Sequence, residues 1–211
     1  MKNLLIIGAS GFGRGTYDMC HNSIGFGTDF VIKGFLDLNL RALDEHSFYP
    51  NVISSEDDYE IMPDDVFICA FGDVNLKKKV TEKMLKRGAK FYTLIHKTAS
   101  ISPSSQIGEG TIIQSYVGVD AGVKIGNHCL IQSQTILGHD VEIGDYSRID
   151  CRVMCVGGVK IGSNVNLHTG CVINHKVIVD DNSTVGACSF VIRKVPKNTH
   201  VFGVPAKKIE F

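Results

Sequence analysis

The chain has 211 residues, with 22 basic and 22 acidic side chains and no net charge. That balance excludes the basic excess on which nucleic-acid and membrane-surface binding depend, and an apolar content of 44% excludes disorder. Glycine is the outlier at 22 residues, and its placement carries information.

In chain order, the run Leu4 to Ile7 is too short for the core of a signal peptide or a membrane span and predicts a buried strand. Gly8-Ala-Ser-Gly-Phe-Gly13 predicts a turn opening a helix that runs to about His21. Val31 to Asp37 predicts a second strand, Val66 to Phe71 a third, and Asn75 to Arg87 a basic helix. Strands alternating with helices predict a small parallel, Rossmann-like α/β domain over residues 1–94. Gly8, Ser10, Gly11 and Gly13 lie where backbone N–H groups at a helix start can approach a phosphate. A tight strand-to-helix turn explains the same residues, and the spacing is not that of a dinucleotide site. Asp37, at the end of the second strand, either meets a sugar or base hydroxyl of an acceptor or faces solvent.

From Ile95 the texture changes to a repeat. An aliphatic residue recurs every six positions from Ile95 to Val191, and sixteen of the seventeen are Ile, Leu or Val, the exception being Cys155. Four residues after each comes Ala, Ser, Thr, Val or Cys, without exception. Six residues are too few for a capped helix but suit a short strand and a turn. Three such units make an 18-residue triangular coil that stacks on the next by strand pairing. Both marked positions point inward, and glycines such as Gly108, Gly126 and Gly138 directly after the aliphatic residue mark corners needing unusual dihedrals or close packing. The repeat predicts a β-solenoid of five to six coils over residues 95–211.

Seven cysteines, an odd number with no Cys-x-x-Cys pair, predict reduced thiols in a cytoplasmic protein. Among polar residues of the solenoid, His139 stands out, set between Gly138 and Asp140 at a corner. A carboxylate beside an imidazole fixes its tautomer and stabilises its protonated form, which a general base requires. A solvated surface histidine is the plainer alternative.

Several segments resemble the hexapeptide-repeat acyltransferases, in particular their sugar acetyltransferase branch. These are Ile-Ile-Gly-Ala-Ser-Gly-Phe-Gly-Arg near the start, Gly-Phe-Leu-Asp at 34–37 and Ala-Phe-Gly-Asp-x-Asn at 70–75. Further on come Gly-His-Asp-x-x-Ile-Gly-Asp at 138–145, Val-Gly-Ala-Cys-Ser at 185–189 and Gly-Val-Pro-Ala-Lys-Lys-Ile at 203–209. That branch includes nucleotide-amino-sugar N-acetyltransferases and sialic acid O-acetyltransferases. The resemblance implies a left-handed parallel β-helix after the α/β domain, a homotrimer, acetyl-CoA as acyl donor and no metal. It implies His139 as base with Asp140 as its orienter, and an oxyanion-donating N–H at Gly157. Acetyl-CoA contacts fall on Gly186, Ala187 and Lys207, and the α/β domain becomes the holder of a nucleotide sugar. Many relatives carry a second histidine where this chain has Arg148, which can donate a hydrogen bond but cannot act as a base. His168 and His175 leave open a metal-dependent lyase or hydratase on the same scaffold, although their spacing fits such ligand sets poorly. A non-catalytic solenoid is the remaining alternative.

Overall fold

The computed structural model describes residues 1–209 and divides into two compact units, the first Met1–Leu94 and the second from Ile95 onward. The first unit is a parallel sheet of β1 (Lys2–Ile7), β2 (Phe30–Leu36), β3 (Val52–Ser54) and β4 (Asp65–Cys69), in the order β3-β2-β1-β4. Helices α1 (Gly11–His21) and α2 (Val74–Lys86) are its two helices. The order puts β1 inside the sheet, and Leu4 to Ile7 are fully buried. β3 is absent from the three strands the sequence predicts. It is only three residues long, too short for an alternating pattern to register. β2 and β4 each run one residue earlier at the start than their apolar runs suggest, and each ends sooner.

Three glycines make α1 a poor helix by propensity, so it stands on packing, with Thr16, Met19 and Cys20 buried. α2 is built more conventionally. Asp73 caps it by accepting from the Leu76 N–H at 2.7 Å, and Lys83 and Lys86 lie in its last turn, where cations are favoured. At the start of β4 the buried Asp65 carboxylate accepts from Lys33 Nζ at 2.8 Å, the Tyr59 hydroxyl at 2.7 Å and the Met62 N–H at 2.9 Å. Burial alone would push this carboxyl up, but those donors together hold it below the usual carboxylate range.

The second unit is a left-handed parallel β-helix. Two-residue strands stack into faces of five, six and eight strands, giving about six coils. Partners are 18 residues apart, as in Lys124↔Glu142, Leu130↔Arg148 and Ile136↔Met154, until the last coil, where Thr184↔His200 shortens the step to 16. The aliphatic and small positions both point inward and form one continuous core from Ile113 to Val201. Hydroxyls are admitted there because each finds a carbonyl on the next coil. Thr135 Oγ1 donates to Asp150 O at 2.8 Å and Ser147 Oγ to Gly162 O at 2.7 Å.

The glycines after the aliphatic residues serve close packing, and the unusual dihedrals fall elsewhere. A Cβ at Gly108 would lie 2.5 Å from the Gly126 carbonyl. The left-handed conformation instead occurs three residues after the aliphatic position, at Tyr116, Gln134, Asp140, Arg152, Lys176 and Cys188 among others. The eight-stranded face ends in an antiparallel hairpin of His200–Gly203 and Ala206–Ile209.

Candidate active site

His139 and Asp140 follow the strand Ile136–Leu137 at a corner of the solenoid. Asp140 has a φ of 58°, which turns its side chain back toward its neighbour. Its Oδ2 lies 3.0 Å from His139 Nδ1, so the carboxylate fixes one ring nitrogen and leaves Nε2 for chemistry. The Nε2 end of the ring lies over Gly157, one coil further on, where any Cβ would collide with the imidazole. Glycine at 157 is therefore a condition for the position of His139.

At the same point of the six-residue unit as Gly157, but on a different corner, the N–H donates to a side chain 18 residues on, Glu109 to Asn127, Asn127 to Asp145 and Ser163 to Asp181. Among the described residues Gly157 N–H has no such partner. A cleft of about 400 Å³ opens here, lined by His139, Asp140, Glu142, Gly158, Lys160, His175, Lys176 and Ile178.

Arg148 does not join them within one chain. It lies on the eight-stranded face, where its Nε donates to the buried Asp150 at 2.6 Å. The same carboxylate takes Gln132 Nε2 at 3.0 Å and His168 Nδ1 at 3.0 Å. Nothing in the sequence marks Asp150 except its 18-residue spacing from Gln132 and His168. Higher on this face a second cleft of about 400 Å³ is lined by His168, Thr184, Gly186, His200, Val201, Phe202 and Ile209. A Cβ on Gly186 would collide with the Phe202 ring, so the tail hairpin occupies the space that this glycine leaves. Ala187 is exposed, and Lys207 is an exposed hairpin residue paired with Phe202. Among the described residues no group of three or more His, Cys, Asp or Glu side chains is gathered to hold a metal.

In the first unit the glycine turn follows β1. Ser10 is the N-cap of α1 but makes no side-chain cap, and the first turn has no acidic residue, which leaves N–H groups open to an anion. A Cβ on Gly13 would collide with the Gly8 carbonyl, so the absence of a side chain there lets helix and turn pack. Gly11 is exposed, with only the end of Arg14 near its missing Cβ, at 3.9 Å. Gly8 has a φ of +100° and lies under Phe71. Asp37 ties the turn down: it accepts from the Ala9 N–H at 2.8 Å through one oxygen and from the Asn39 N–H at 2.9 Å through the other.

Comparisons with known proteins agree with this architecture. Residues 3–84 match the PglD N-terminal domain, and residues 122–155 match the bacterial transferase hexapeptide (six repeats). The UDP-N-acetylbacillosamine N-acetyltransferase of Bacillus subtilis (strain 168) is 30% identical over 119 residues, 54% of this chain and 52% of that protein. The chain therefore matches about half the length of this curated relative. The acetyltransferase domain of PglB from Neisseria gonorrhoeae FA1090 superposes with a TM-score of 0.89 at 24% identity, covering 99% of this chain and 100% of that one. That domain has also been solved in complex with acetyl coenzyme A. PerB from Caulobacter crescentus, in complex with CoA and GDP-perosamine, superposes with a TM-score of 0.87 at 23% identity, covering 100% of this chain and 98% of that one. These likenesses establish the fold along the whole chain. The chain thus pairs a segment similar to the PglD N-terminal domain with one similar to the bacterial transferase hexapeptide repeats.

Proposed function

We propose that this protein is an acetyl-CoA-dependent N-acetyltransferase whose acceptor is the amino group of a nucleotide-linked amino sugar. The observation that carries the reading is the His139–Asp140 pair, whose other ring nitrogen lies over the side-chain-less Gly157. His139 Nε2 takes the proton of the attacking amine, Asp140 holds the ring, and Gly157 N–H receives the negative oxygen of the tetrahedral intermediate. The matched B. subtilis relative is an N-acetyltransferase, and solved neighbours hold acetyl-CoA, or CoA with a GDP-sugar, which supports both donor and acceptor class. The α/β unit holds the nucleotide, with the Gly8 to Gly13 turn facing phosphate and Asp37 bracing that turn. None of Arg148, Gly186, Ala187 and Lys207 lines the cleft at His139, so their acetyl-CoA contacts are assigned to a neighbouring copy.

That assignment fits a homotrimer. On the six-stranded face Ile136, Met154, Val172 and Phe190 stack in register with their side chains outward, an apolar stripe suited to a symmetric partner. All seven cysteines are unpaired, consistent with the cytoplasm. The test is a thermal-shift screen of acetyl-CoA with UDP- and GDP-linked amino sugars, followed by a transfer assay with the ligands that stabilise. Transfer to a nucleotide amino sugar, lost in His139→Ala, is expected. Stabilisation by free sialic acid alone, with transfer to its hydroxyl, would replace this reading by O-acetylation.

A further inference from the structure

Beyond Gly157 from His139 stands a second imidazole. His139, Gly157 and His175 are spaced by 18 residues and occupy the same corner position in three successive coils. Because Gly157 has no side chain, the two rings face each other across the gap, with centroids 6.5 Å apart and planes inclined at 54°. Both line the same cleft. The other charged groups facing it are Asp140, Glu142, Lys160 and Lys176. Asp140 is engaged with His139, and Glu142 pairs with Lys160.

Resting on the function proposed above, the geometry points to His175 as a second catalytic imidazole, the one that protonates the departing sulfur. Acyl transfer from a thioester to an amine moves two protons, one off nitrogen and one onto sulfur. The second ends on sulfur because an alkyl thiol, with a pKa of about 8.5, is mostly protonated at neutral pH, and an acid beside the sulfur speeds its departure. The tetrahedral carbon carries three heteroatoms. Nitrogen faces His139, oxygen faces the Gly157 N–H, and the remaining polar substituent is sulfur, on the side where His175 stands. The nitrogen–carbon bond forms as the amine proton passes to His139 Nε2. The oxyanion then re-forms the carbonyl, the carbon–sulfur bond breaks toward sulfur, and the sulfur takes a proton from the His175 imidazolium. His139 ends protonated and His175 neutral, and one proton returning through water in the cleft restores both.

The experiment compares acyl donors that differ in their need for that proton. His175→Ala should lower kcat with acetyl-CoA by about 10- to 100-fold, toward the lower end of general-acid effects, with the melting temperature and acetyl-CoA affinity retained. Two small donors without the nucleotide, an acetyl alkyl thioester and an acetyl aryl thioester, separate the roles. An aryl thiolate leaves without a proton, so the variant should match wild type with the aryl donor and stay slow with the alkyl one. His139→Ala should be slow with both. Equal losses with the two small donors, or rescue by His175→Gln, would overturn the assignment, as would full acetyl-CoA activity in His175→Ala beside an inactive His139→Ala. A wild-type enzyme that acetylates no nucleotide amino sugar would overturn the parent reading instead, and this one with it.

Discussion

An imidazole held through Nδ1 by an adjacent carboxylate has a single nitrogen left to offer, and at His139 that nitrogen points over a residue without a side chain. Removing the base by His139→Ala should cost about 10²–10⁴-fold in kcat while acetyl-CoA affinity, measured by calorimetry, holds steady. Asp140→Asn should cost less, since the ring keeps its neighbour but loses the charge that favours its protonated form. Gly157→Ala is the more telling change. Its methyl must displace the imidazole, so turnover should fall as it does in His139→Ala although the base is still present. In the α/β unit the glycines separate by role. Gly11→Ala should fold normally and weaken nucleotide-sugar binding, whereas Gly13→Ala should lower the melting temperature, because its methyl meets the Gly8 carbonyl. The His139–Asp140 pairing was legible in the sequence because the two side chains are neighbours in the chain. For Gly13 the sequence left phosphate approach and a tight turn both open, and only the neighbouring carbonyl shows how closely it packs.

Among elements, the solenoid strands were legible because each six-residue unit repeats one physical demand, an aliphatic side chain and a small one facing inward. The position of the left-handed residues was not, since Tyr, Gln, Arg, Lys and Cys occupy it as well as Asn and Gly. Such residues are held there by the ladder on either side, at a cost of about 1–2 kcal/mol each. Tyr116, with a φ of 58° and a mostly exposed ring, is the cleanest case. Tyr116→Asn should raise stability by up to about 1 kcal/mol in chemical denaturation, since Asn tolerates that conformation better. The strand β4 supplies a pH test. Asp65 has a folded-state pKa below its usual range, so its stabilisation is complete above the ordinary carboxylate value and is lost as pH falls through the folded value. Asp65→Asn should therefore cost about 1–3 kcal/mol at neutral pH and flatten the acid side of the stability profile.

For the whole molecule, the division near residue 94 follows from a change of period in the sequence, and the structure divides at the same place. The assembly is a further matter, since one chain leaves His139 and Arg148 on different parts of the solenoid. Light scattering should give three times the chain mass. Replacing two members of the apolar stripe, Met154→Glu with Phe190→Glu, should reduce that mass and abolish transfer together. A folded, fully active monomer would show that each chain holds its own site.

The register also fixes how such a chain can change length over time. Through Val191 side chains point inward or outward according to their count within six, and strands find their face according to their count within eighteen. One inserted residue would turn the downstream core outward and send lysines and aspartates inward. Six inserted residues would keep the core but rotate every later strand to the next face, parting His175 from the corner of His139. Eighteen would preserve both core and faces, yet would place an additional coil between the two imidazoles. Length is thus a catalytic variable here. A descendant can gain coils beyond His175 without touching the cleft, whereas between residues 139 and 175 the spacing of the two rings tolerates none.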